Sequence, residues 1–341
     1  MKRYPISAAQ IWVFLACLMF LSAASHVSAQ QPGRGKSVPK HRRAAPKARF
    51  SSGDSALKIP LEIDNNIILM RVSVNGSRPL KFIFDTGASV SVINQSLATE
   101  LGLNAKGQAS GDATGGKIQV SLIRGVSLSV QGAEVSNQVF ASMPIPKPPG
   151  FEFDGVIGFD FINQFVVEID YRNKTMSMYD PHTYTYSGRG EVIPLILAGR
   201  RIPLARTSIT LEGHTPVEAR LEVDTGADGT FVITSPFVKK HGLLAAVSKT
   251  IQGDRRGAGG EEKVLIGRVK AVQLGRFTIE NPPVAFSLDT EGAGASEAND
   301  GVIGGEVFRR FKVIIDYSRK RMILEPNEDF NDPYDLEQTG E

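Results

Sequence analysis

The sequence contains only one cysteine and one tryptophan among its 341 residues, and both lie near the N-terminus, at Cys17 and Trp12. Beyond Cys17 no disulfide can form, so a packed core must stabilise the fold. The five histidines lack the spacing of metal ligands, and we therefore predict no metal site and no cofactor. The sequence also lacks a Gly-x-Ser-x-Gly motif and a cysteine placed for nucleophilic catalysis.

Acidic residues are absent from the first 50 positions, which carry nine of the 39 lysines and arginines. The remainder has 30 basic residues against 36 acidic ones, although the whole sequence has a formal charge of +3. Because this remainder has no surplus of positive charge to attract phosphates, a nucleic-acid partner is not predicted.

Residues 1–29 have the features of a cleaved signal peptide. Two basic residues precede an apolar run at residues 11–21, and small residues lead to a cleavage site near Ala29. The run is too short to span a bilayer comfortably, so no stable membrane span is expected after cleavage. We therefore predict a periplasmic or secreted protein. Cys17 offers an alternative lipoprotein cleavage site, which we disfavour because cleavage there would leave an apolar mature N-terminus.

Residues 30–55 are predicted to be a basic disordered linker or a pro-segment. Residues 30–50 carry seven lysines and arginines, no acid and few apolar side chains, a composition typical of disorder. Three roles remain open for this segment: a solvated tether, a contact with anionic lipid headgroups, or a pro-segment whose cations rest on an acidic cleft.

Two motifs each occur twice in the chain. KFIFDTGAS at residues 81–89 has a second copy, RLEVDTGAD, at residues 220–228, and in each an apolar, strand-like run leads into an aspartate and small residues. Residues 154–179 align without a gap on residues 300–325, with 12 of 26 positions identical. A duplication with a period of roughly 140 residues is too long for a solenoid repeat and predicts two small globular lobes.

Alternating apolar residues, separated by turn-forming asparagine and glycine, predict strands and hairpins in both lobes. We place the N-terminal lobe at residues 56–184, an inter-lobe linker at residues 185–190 and the C-terminal lobe at residues 191–327. The acidic, aperiodic tail at residues 328–341 is predicted to be frayed.

The repeated motifs resemble those of the aspartic proteases. In each copy Asp-Thr-Gly-Ala follows an apolar strand, a glycine-rich segment comes next, and an apolar-apolar-Gly sequence follows at residues 156–158 or 302–304. Over about residues 57–326 the chain is most similar to the bacterial retropepsin-like branch with two lobes in one chain. The resemblance implies an all-β fold with short helices, in which two tandem retropepsin-like β-barrel lobes are related by pseudo-twofold symmetry.

The resemblance also implies that Asp85 and Asp224 form a catalytic pair. Two carboxyl groups within hydrogen-bonding reach share one proton, so one can act as a base on water while the other protonates the peptide carbonyl oxygen. Threonine hydroxyls would bind the backbone of the opposite lobe, and glycines would let the two turns approach each other. The residues assigned to these supporting roles are Thr86, Gly87, Thr225 and Gly226.

The two glycine-rich segments are predicted to be flaps that cover the cleft. The flap candidates are Gly111, Gly115, Gly116, Gly257, Gly259 and Gly260. Val156 and Val302 are pocket candidates, although core packing is the commoner role of a valine. Residues 111–117 also match the start of a phosphate-binding loop, but Ile118 has no hydroxyl and a strand follows in place of a helix, so nucleotide binding is not predicted.

Together the motifs predict an exported aspartic endopeptidase that binds a peptide or protein substrate as an added strand. The alternative is a catalytically inactive peptide-binding module on the same fold. Two lobes in one chain predict a monomer, with pairing of two chains as the alternative assembly. Ala88 and Ala227 stand where pepsin-like enzymes commonly have a hydroxyl residue, so we expect a pH optimum above that of those enzymes.

Overall fold

The structure is a computed structural model that describes residues 10–12, 19–22 and 45–334. Strands account for 52% and helices for 11% of the structure, which confirms the mainly β class with short helices. In the described residues, no helix is long and apolar enough to cross a bilayer.

The first half of the chain contributes fourteen of the described strands and two short helices. Their bounds are β1 Gln10–Trp12, β2 Met19–Ser22, β3 Lys47–Phe50, β4 Ser55–Pro60, β5 Glu62–Asp64, β6 Ile67–Val74, β7 Leu80–Phe84, β8 Ser91–Asn94, α1 Gln95–Glu100, β9 Ala105–Ala113, β10 Gly116–Val130, β11 Ala133–Met143, β12 Gly155–Ile157, α2 Phe159–Ile162, β13 Val166–Asp170 and β14 Thr175–Tyr179.

The second half contributes twelve strands and two short helices. Their bounds are β15 Glu191–Ala198, β16 Ile202–Thr210, β17 Val217–Val223, β18 Phe231–Ile233, α3 Ser235–His241, β19 Thr250–Gly257, β20 Gly260–Arg268, β21 Ala271–Leu274, β22 Phe277–Glu280, β23 Pro283–Ser287, β24 Gly301–Ile303, α4 Gly305–Phe308, β25 Phe311–Asp316 and β26 Arg321–Pro326. Single turns of 3-10 helix lie at Leu243–Ala246, Ala293–Ala295 and Glu328–Asn331.

Both lobes have the same arrangement of central strands. In the N-terminal lobe β12 lies between β7 and β8, parallel to the first and antiparallel to the second. In the C-terminal lobe β24 lies in the same way between β17 and β18. The ends of β7 and β17 and all of β12 and β24 are buried on both faces, which explains why their residues are apolar except for Glu222 in β17.

A six-stranded antiparallel sheet joins the two lobes. Its order is β4-β14-β13-β25-β26-β15, so each half of the chain supplies three strands. At the centre, where β13 meets β25, Glu168 lies opposite Ile314. These two residues hold the same position in the aligned copies that begin at residues 154 and 300, so the pseudo-twofold axis passes between them.

One apolar core extends through both lobes and the central sheet. Phenylalanines from both halves lie in it with less than 2% of their surface exposed, among them Phe82, Phe140, Phe161, Phe308 and Phe311. Burial of such side chains contributes roughly 1.5–3 kcal/mol each, which is how a fold without disulfides is stabilised.

Of the predicted basic linker or pro-segment at residues 30–55, the C-terminal end is not disordered. Lys47–Phe50 forms β3, which pairs with β11, and Phe50 packs edge-on against Phe165 with ring centroids 5.5 Å apart. In β3 the basic residues point to solvent while Ala48 and Phe50 pack against the core, so its composition hid a half-buried strand. Residues 30–44 lie outside the described residues.

The prediction of a frayed tail is wrong for residues 328–334. Phe330 packs against Phe277 and Phe311. The guanidinium of Arg310 donates to the backbone carbonyl oxygens of residues 329, 330 and 332. Arg310 is only 2% exposed and its charge is paired with Glu306, so the tail carbonyls serve as acceptors for the remaining N–H groups of its guanidinium. Residues 335–341 lie outside the described residues.

Most of the predicted signal peptide also lies outside the described residues. Two of its segments, β1 and β2, pair with flap strands: β1 runs parallel to β19, and β2 runs antiparallel to β9. Cleavage near Ala29 stays a prediction.

Candidate active site

Asp85 and Asp224 directly follow the buried ends of β7 and β17. The N–H of Asp85 donates to the carbonyl oxygen of Ile157 at 3.0 Å, and that of Asp224 donates to the carbonyl oxygen of Ile303 at 3.1 Å. These bonds hold each aspartate against β12 or β24, the strand of the apolar-apolar-Gly motif. Both aspartates are completely buried.

The two threonines join the lobes at this point. The hydroxyl of Thr86 donates to the carbonyl oxygen of Val223 at 2.6 Å, and the hydroxyl of Thr225 donates to that of Phe84 at 2.8 Å. In addition, the N–H of each threonine donates to Oγ1 of the other. The cross-lobe bonds that the resemblance implies are therefore present, and they fix the two aspartate turns against each other.

Gly87 and Gly226 lie where the opposite aspartate leaves no room for a side chain. A Cβ atom on Gly87 would lie 2.7 Å from Cγ of Asp224, and one on Gly226 would clash with the carboxyl group of Asp85. Each carboxyl group thus packs against the other lobe's turn, which brings the two aspartates together at the seam.

The carboxyl oxygens of each aspartate have different surroundings. Oδ1 of Asp85 accepts the N–H groups of Gly87 and Ala88, at 2.8 and 3.0 Å, and Oδ1 of Asp224 accepts that of Gly226 at 2.8 Å. Oδ2 of both aspartates is buried and has no hydrogen-bond partner among the described residues. Two carboxyl oxygens are thereby left for a ligand or a water molecule.

Both aspartates have raised pKa values. Burial raises the pKa of Asp85 well above its ordinary value, and the charge of Asp224 raises it further. Burial also raises the pKa of Asp224, while the neighbouring Asp85 carboxyl group, the N–H of Gly226 and the charge of Arg255 act against that rise. The pair therefore holds a proton at pH values at which isolated aspartates are ionised.

The two halves of the site differ in charge at the position two residues before each aspartate. Glu222 is completely buried in the C-terminal lobe, whereas Ile83 has the corresponding place in the N-terminal lobe. Nδ2 of Asn299 donates to Oε2 of Glu222 at 2.8 Å, and the charge of Glu222 raises the pKa of Asp85. Sequence reasoning missed Glu222, although a carboxylate inside an apolar run was a usable signal.

The predicted flaps are two hairpins, β9–β10 and β19–β20, whose tips touch. The N–H of Gly259 donates to the carbonyl oxygen of Thr114 at 2.9 Å, and a Cβ on Gly115 would clash with the backbone of Gly260. Of the six flap candidates, Gly111 lies within β9 and the other five lie at the tips: Gly115, Gly116, Gly257, Gly259 and Gly260. Glycine at the tips lets the two backbones meet.

The inner face of the C-terminal flap carries an ion pair that sequence reasoning missed. Nη1 of Arg255 lies 2.6 Å from Oε2 of Glu262, and the two side chains are 3% and 1% exposed. The glycine-rich composition of the segment predicted a flap but gave no sign of a buried ion pair. In the described residues, no group of three or more histidine, cysteine, aspartate or glutamate side chains could hold a metal ion.

The two pocket candidates have different surroundings. Val302 lines a small cavity together with Thr234, Arg255 and Asn299. Val156 is completely buried in an apolar cluster behind the Asp85 turn. The structure thus gives Val302 a cavity and places Val156 in the core.

Two further contacts cross the seam beside the aspartates. Nδ2 of Asn66 donates to the backbone carbonyl of Asp228 and to Oε2 of Glu306, both at 3.1 Å. From the other lobe, Nη1 of Arg201 donates to Oδ1 of Asp160 at 2.9 Å. Each lobe therefore reaches into the other on both sides of the site, although sequence reasoning assigned these residues no role.

A family model described as aspartyl protease matches residues 70–161 and 207–307, more than half of the chain. The chain belongs to the aspartyl protease family. Each matched region of this aspartyl protease contains one Asp-Thr-Gly motif and one apolar-apolar-Gly motif. The duplication read from the sequence is thereby confirmed as a repeat of the family's own domain.

The aspartyl protease is also similar to a crystal structure of the aspartic proteinase from Irpex lacteus, with a TM-score of 0.51 and 14% identity. The similarity covers 82% of this chain and 99% of that chain, and it shows the shared two-lobed fold. No curated protein matches the chain.

Proposed function

We propose that this protein is an aspartic endopeptidase in which Asp85 and Asp224 activate the hydrolytic water. The observation that carries the proposal is the pair of buried Oδ2 atoms, one from each lobe, that bind no described residue. Their carboxyl groups hold a proton between them, as acid–base catalysis on a peptide bond requires.

In this proposal Asp224 is the base and Asp85 the acid. The charge of Arg255 lowers the pKa of Asp224 and that of Glu222 raises the pKa of Asp85, so the shared proton resides on Asp85. The water oxygen attacks the peptide carbonyl carbon while its proton moves to Asp224, and Asp85 gives its proton to the carbonyl oxygen. When the C–N bond breaks, Asp224 protonates the leaving nitrogen and Asp85 takes a hydroxyl proton from the intermediate.

The substrate is proposed to be a peptide or protein segment that binds as an extended strand along the flaps. The edges of both flaps accept strands, since β2 pairs with β9 and β1 pairs with β19. A substrate backbone offers the same N–H and carbonyl groups, and its side chains then determine specificity.

The test is incubation of the purified protein with a denatured protein across the pH range 3–8, followed by mass spectrometry of the products. Asp85→Asn and Asp224→Asn keep the side-chain shape and should each reduce the cleavage rate by about 10²–10⁴-fold. Asp170→Asn is the matched control, because Asp170 bonds to Asn173 in a distant hairpin turn. A folded wild-type protein that binds peptides and cleaves none would instead establish the peptide-binding module.

Export and a monomeric state are part of the proposal. The composition of residues 1–29 supports export to the periplasm or beyond the cell. The central sheet supports a monomer, because one chain supplies all six strands. N-terminal sequencing of the mature protein and sedimentation of the active form test these two statements, and an intact Met1 or an active dimer would overturn them.

A further inference from the structure

A groove lies at the base of the C-terminal flap. Its volume is about 420 Å³, within the range of roughly 300–1,000 Å³ that is typical of ligand pockets. Both flap strands contribute to it, where β19 begins and where β20 ends. The turn between β16 and β17 and the linker before β19 complete its walls. The groove is therefore at the opposite end of the hairpin from the tip that meets the other flap.

The charged residues that line the groove are mostly basic. They are Lys249, Arg268, Lys270 and Glu212. Lys249 has no ion-pair partner among the described residues, and Lys270 pairs with Glu212 at 3.8 Å, where both side chains are more than half exposed. Nη1 of Arg268 donates to the backbone carbonyl of Asn281 at 2.6 Å. The groove thus keeps positive charge that an acidic ligand would neutralise.

The floor of the groove is apolar. Ile266 and Val269 are buried there, and Ala246 and Ile251 are half-buried. An apolar side chain that entered the groove would remove this surface from water. The ligand that suits the floor and the basic residues together is an acidic segment that also carries an apolar side chain.

The C-terminal tail of the chain is held by basic residues as far as the structure describes it. Glu328 pairs with Arg172 at 2.6 Å, and Asp332 lies 3.8 Å from Arg309. Acidic side chains of the tail therefore find cations on the body of the protein one after another.

The tail follows the hairpin β21–β22, and the base of this hairpin borders the groove. Phe330 packs against Phe277 at the start of β22, with ring centroids 5.6 Å apart. Asn281, which lines the groove, is four residues farther along, a distance of about 13 Å in a strand. Tyr334 packs against the same apolar core as Val269 of the groove floor. The seven residues after Tyr334 can extend over about 23–25 Å, well beyond the length of β22.

Tyr334, at the end of the described tail, is close to the charge of the groove. Its ring lies under the guanidinium of Arg310, 4.2 Å from the ring centroid. Burial raises the pKa of Tyr334, while the charges of Arg310, Arg309 and Arg268 act against the rise. Since Arg268 lines the groove, the packing of the tail and this charge effect both place Tyr334 near it.

Residues 335–341, DLEQTGE, contain three acidic side chains, one leucine and no cation. We propose that these residues dock in the groove, with their acidic side chains on Lys249, Arg268 and Lys270 and with Leu336 on the apolar floor. The groove is then an internal binding site that joins the acidic tail to the base of the C-terminal flap. The inference does not depend on proteolytic activity.

The test is zero-length cross-linking of the whole purified protein with a carbodiimide, which joins an amine to a carboxylate in contact with it. Nitrogen-15-labelled and unlabelled protein are mixed, and the tryptic products are identified by mass spectrometry. Lys249 or Lys270 should be joined to residues 335–341 of the same chain. The pair of Lys270 with Glu212 is the internal control. A cross-link to Glu212 without one to the tail would overturn the inference, as would tail cross-links only between labelled and unlabelled chains.

Charge reversal tests the groove itself. In Lys249→Glu with Lys270→Glu, a protease specific for glutamate should cut after Glu337 about tenfold faster than in the wild type, because a docked segment must first open. Lys239→Glu with Lys240→Glu, two exposed lysines of α3, is the matched control and should keep the wild-type rate. Equal rates in the groove variant and the wild type would contradict the docking. Circular dichroism checks each fold, and if the groove variant unfolds, the wild-type cross-links decide.

Discussion

Thr86 and Thr225 are bonded to each other twice, because the N–H of each donates to the hydroxyl oxygen of the other at 3.1 Å. Each hydroxyl also donates to a carbonyl of the opposite lobe, so one side chain serves both turns at once. Loss of either hydroxyl therefore disturbs both aspartates, and the two lobes cannot be treated as independent units at this point.

Thr225→Val should destabilise the protein by about 2–4 kcal/mol, because two buried backbone groups lose their partners. Urea unfolding followed by circular dichroism measures this loss, and proteolytic activity should fall with it. Thr207→Val is the matched control: Thr207 is equally buried and donates only to Ala219 within its own lobe, so about 1 kcal/mol and little activity should be lost. Equal losses in the two variants would contradict the cross-lobe role.

Gly87→Ala should abolish activity, because the added methyl group would press against the carboxyl groups of Asp224 and Glu222. The measurement is kcat/KM together with the urea midpoint, and both should decrease. Gly229→Ala provides the control in the C-terminal turn region, since a Cβ there has no atom within 4 Å. An active, stable Gly87→Ala protein would show that the two turns are farther apart than described.

Stability should fall as the pH rises from about 5 to 8. Burial raises the pKa of Asp228 and of Asp289 to about 7, and it raises the pKa values of Asp85 and Asp224 as well. The folded state thus binds more protons than the unfolded chain in this range, and the stabilisation present at low pH is lost as the groups ionise. Urea midpoints at several pH values measure the slope, which Asp228→Asn should reduce. A midpoint that rises toward pH 8 would contradict the assignment.

The pH–activity profile should have its maximum in the mildly acidic range, above that of pepsin-like enzymes. Glu222→Gln should move the alkaline limb to lower pH, because its negative charge helps to keep the proton on Asp85. Glu218→Gln on the exposed part of β17 should leave the profile in place. If Glu222→Gln lowered the cleavage rate without shifting the pH profile, Glu222 would have only a structural role.

The repeat made the fold and the aspartate turns predictable from the sequence. The apolar runs before Asp85 and Asp224 are local patterns, as is the second motif that aligns without a gap. Such patterns can be recognised in the sequence without knowledge of long-range contacts. The burial of Arg255 could not be predicted in this way. In a hairpin, a one-residue shift exchanges inner and outer faces, so only the position of the turn decides that Arg255 and not Arg256 is buried.

Composition misled the sequence analysis at the ends of the chain. Residues 47–50 are too basic to suggest a strand, yet every second side chain packs against the core. The contact of Phe330 with Phe311 joins the tail to β25 and depends on the fold of the whole lobe. Such long-range contacts are invisible to any local pattern.

The pairing of Glu168 with Ile314 favours the contact between the N-terminal and the C-terminal half of the chain. If two N-terminal halves joined along this edge, Glu168 would oppose a second Glu168, and like charges directly across a sheet are unfavourable. In the native pairing, Glu168 instead forms a salt bridge with Lys312 at 3.1 Å, with Ile314 opposite. The N-terminal half, made as a separate polypeptide, should therefore pair with the C-terminal half in preference to a second copy of itself.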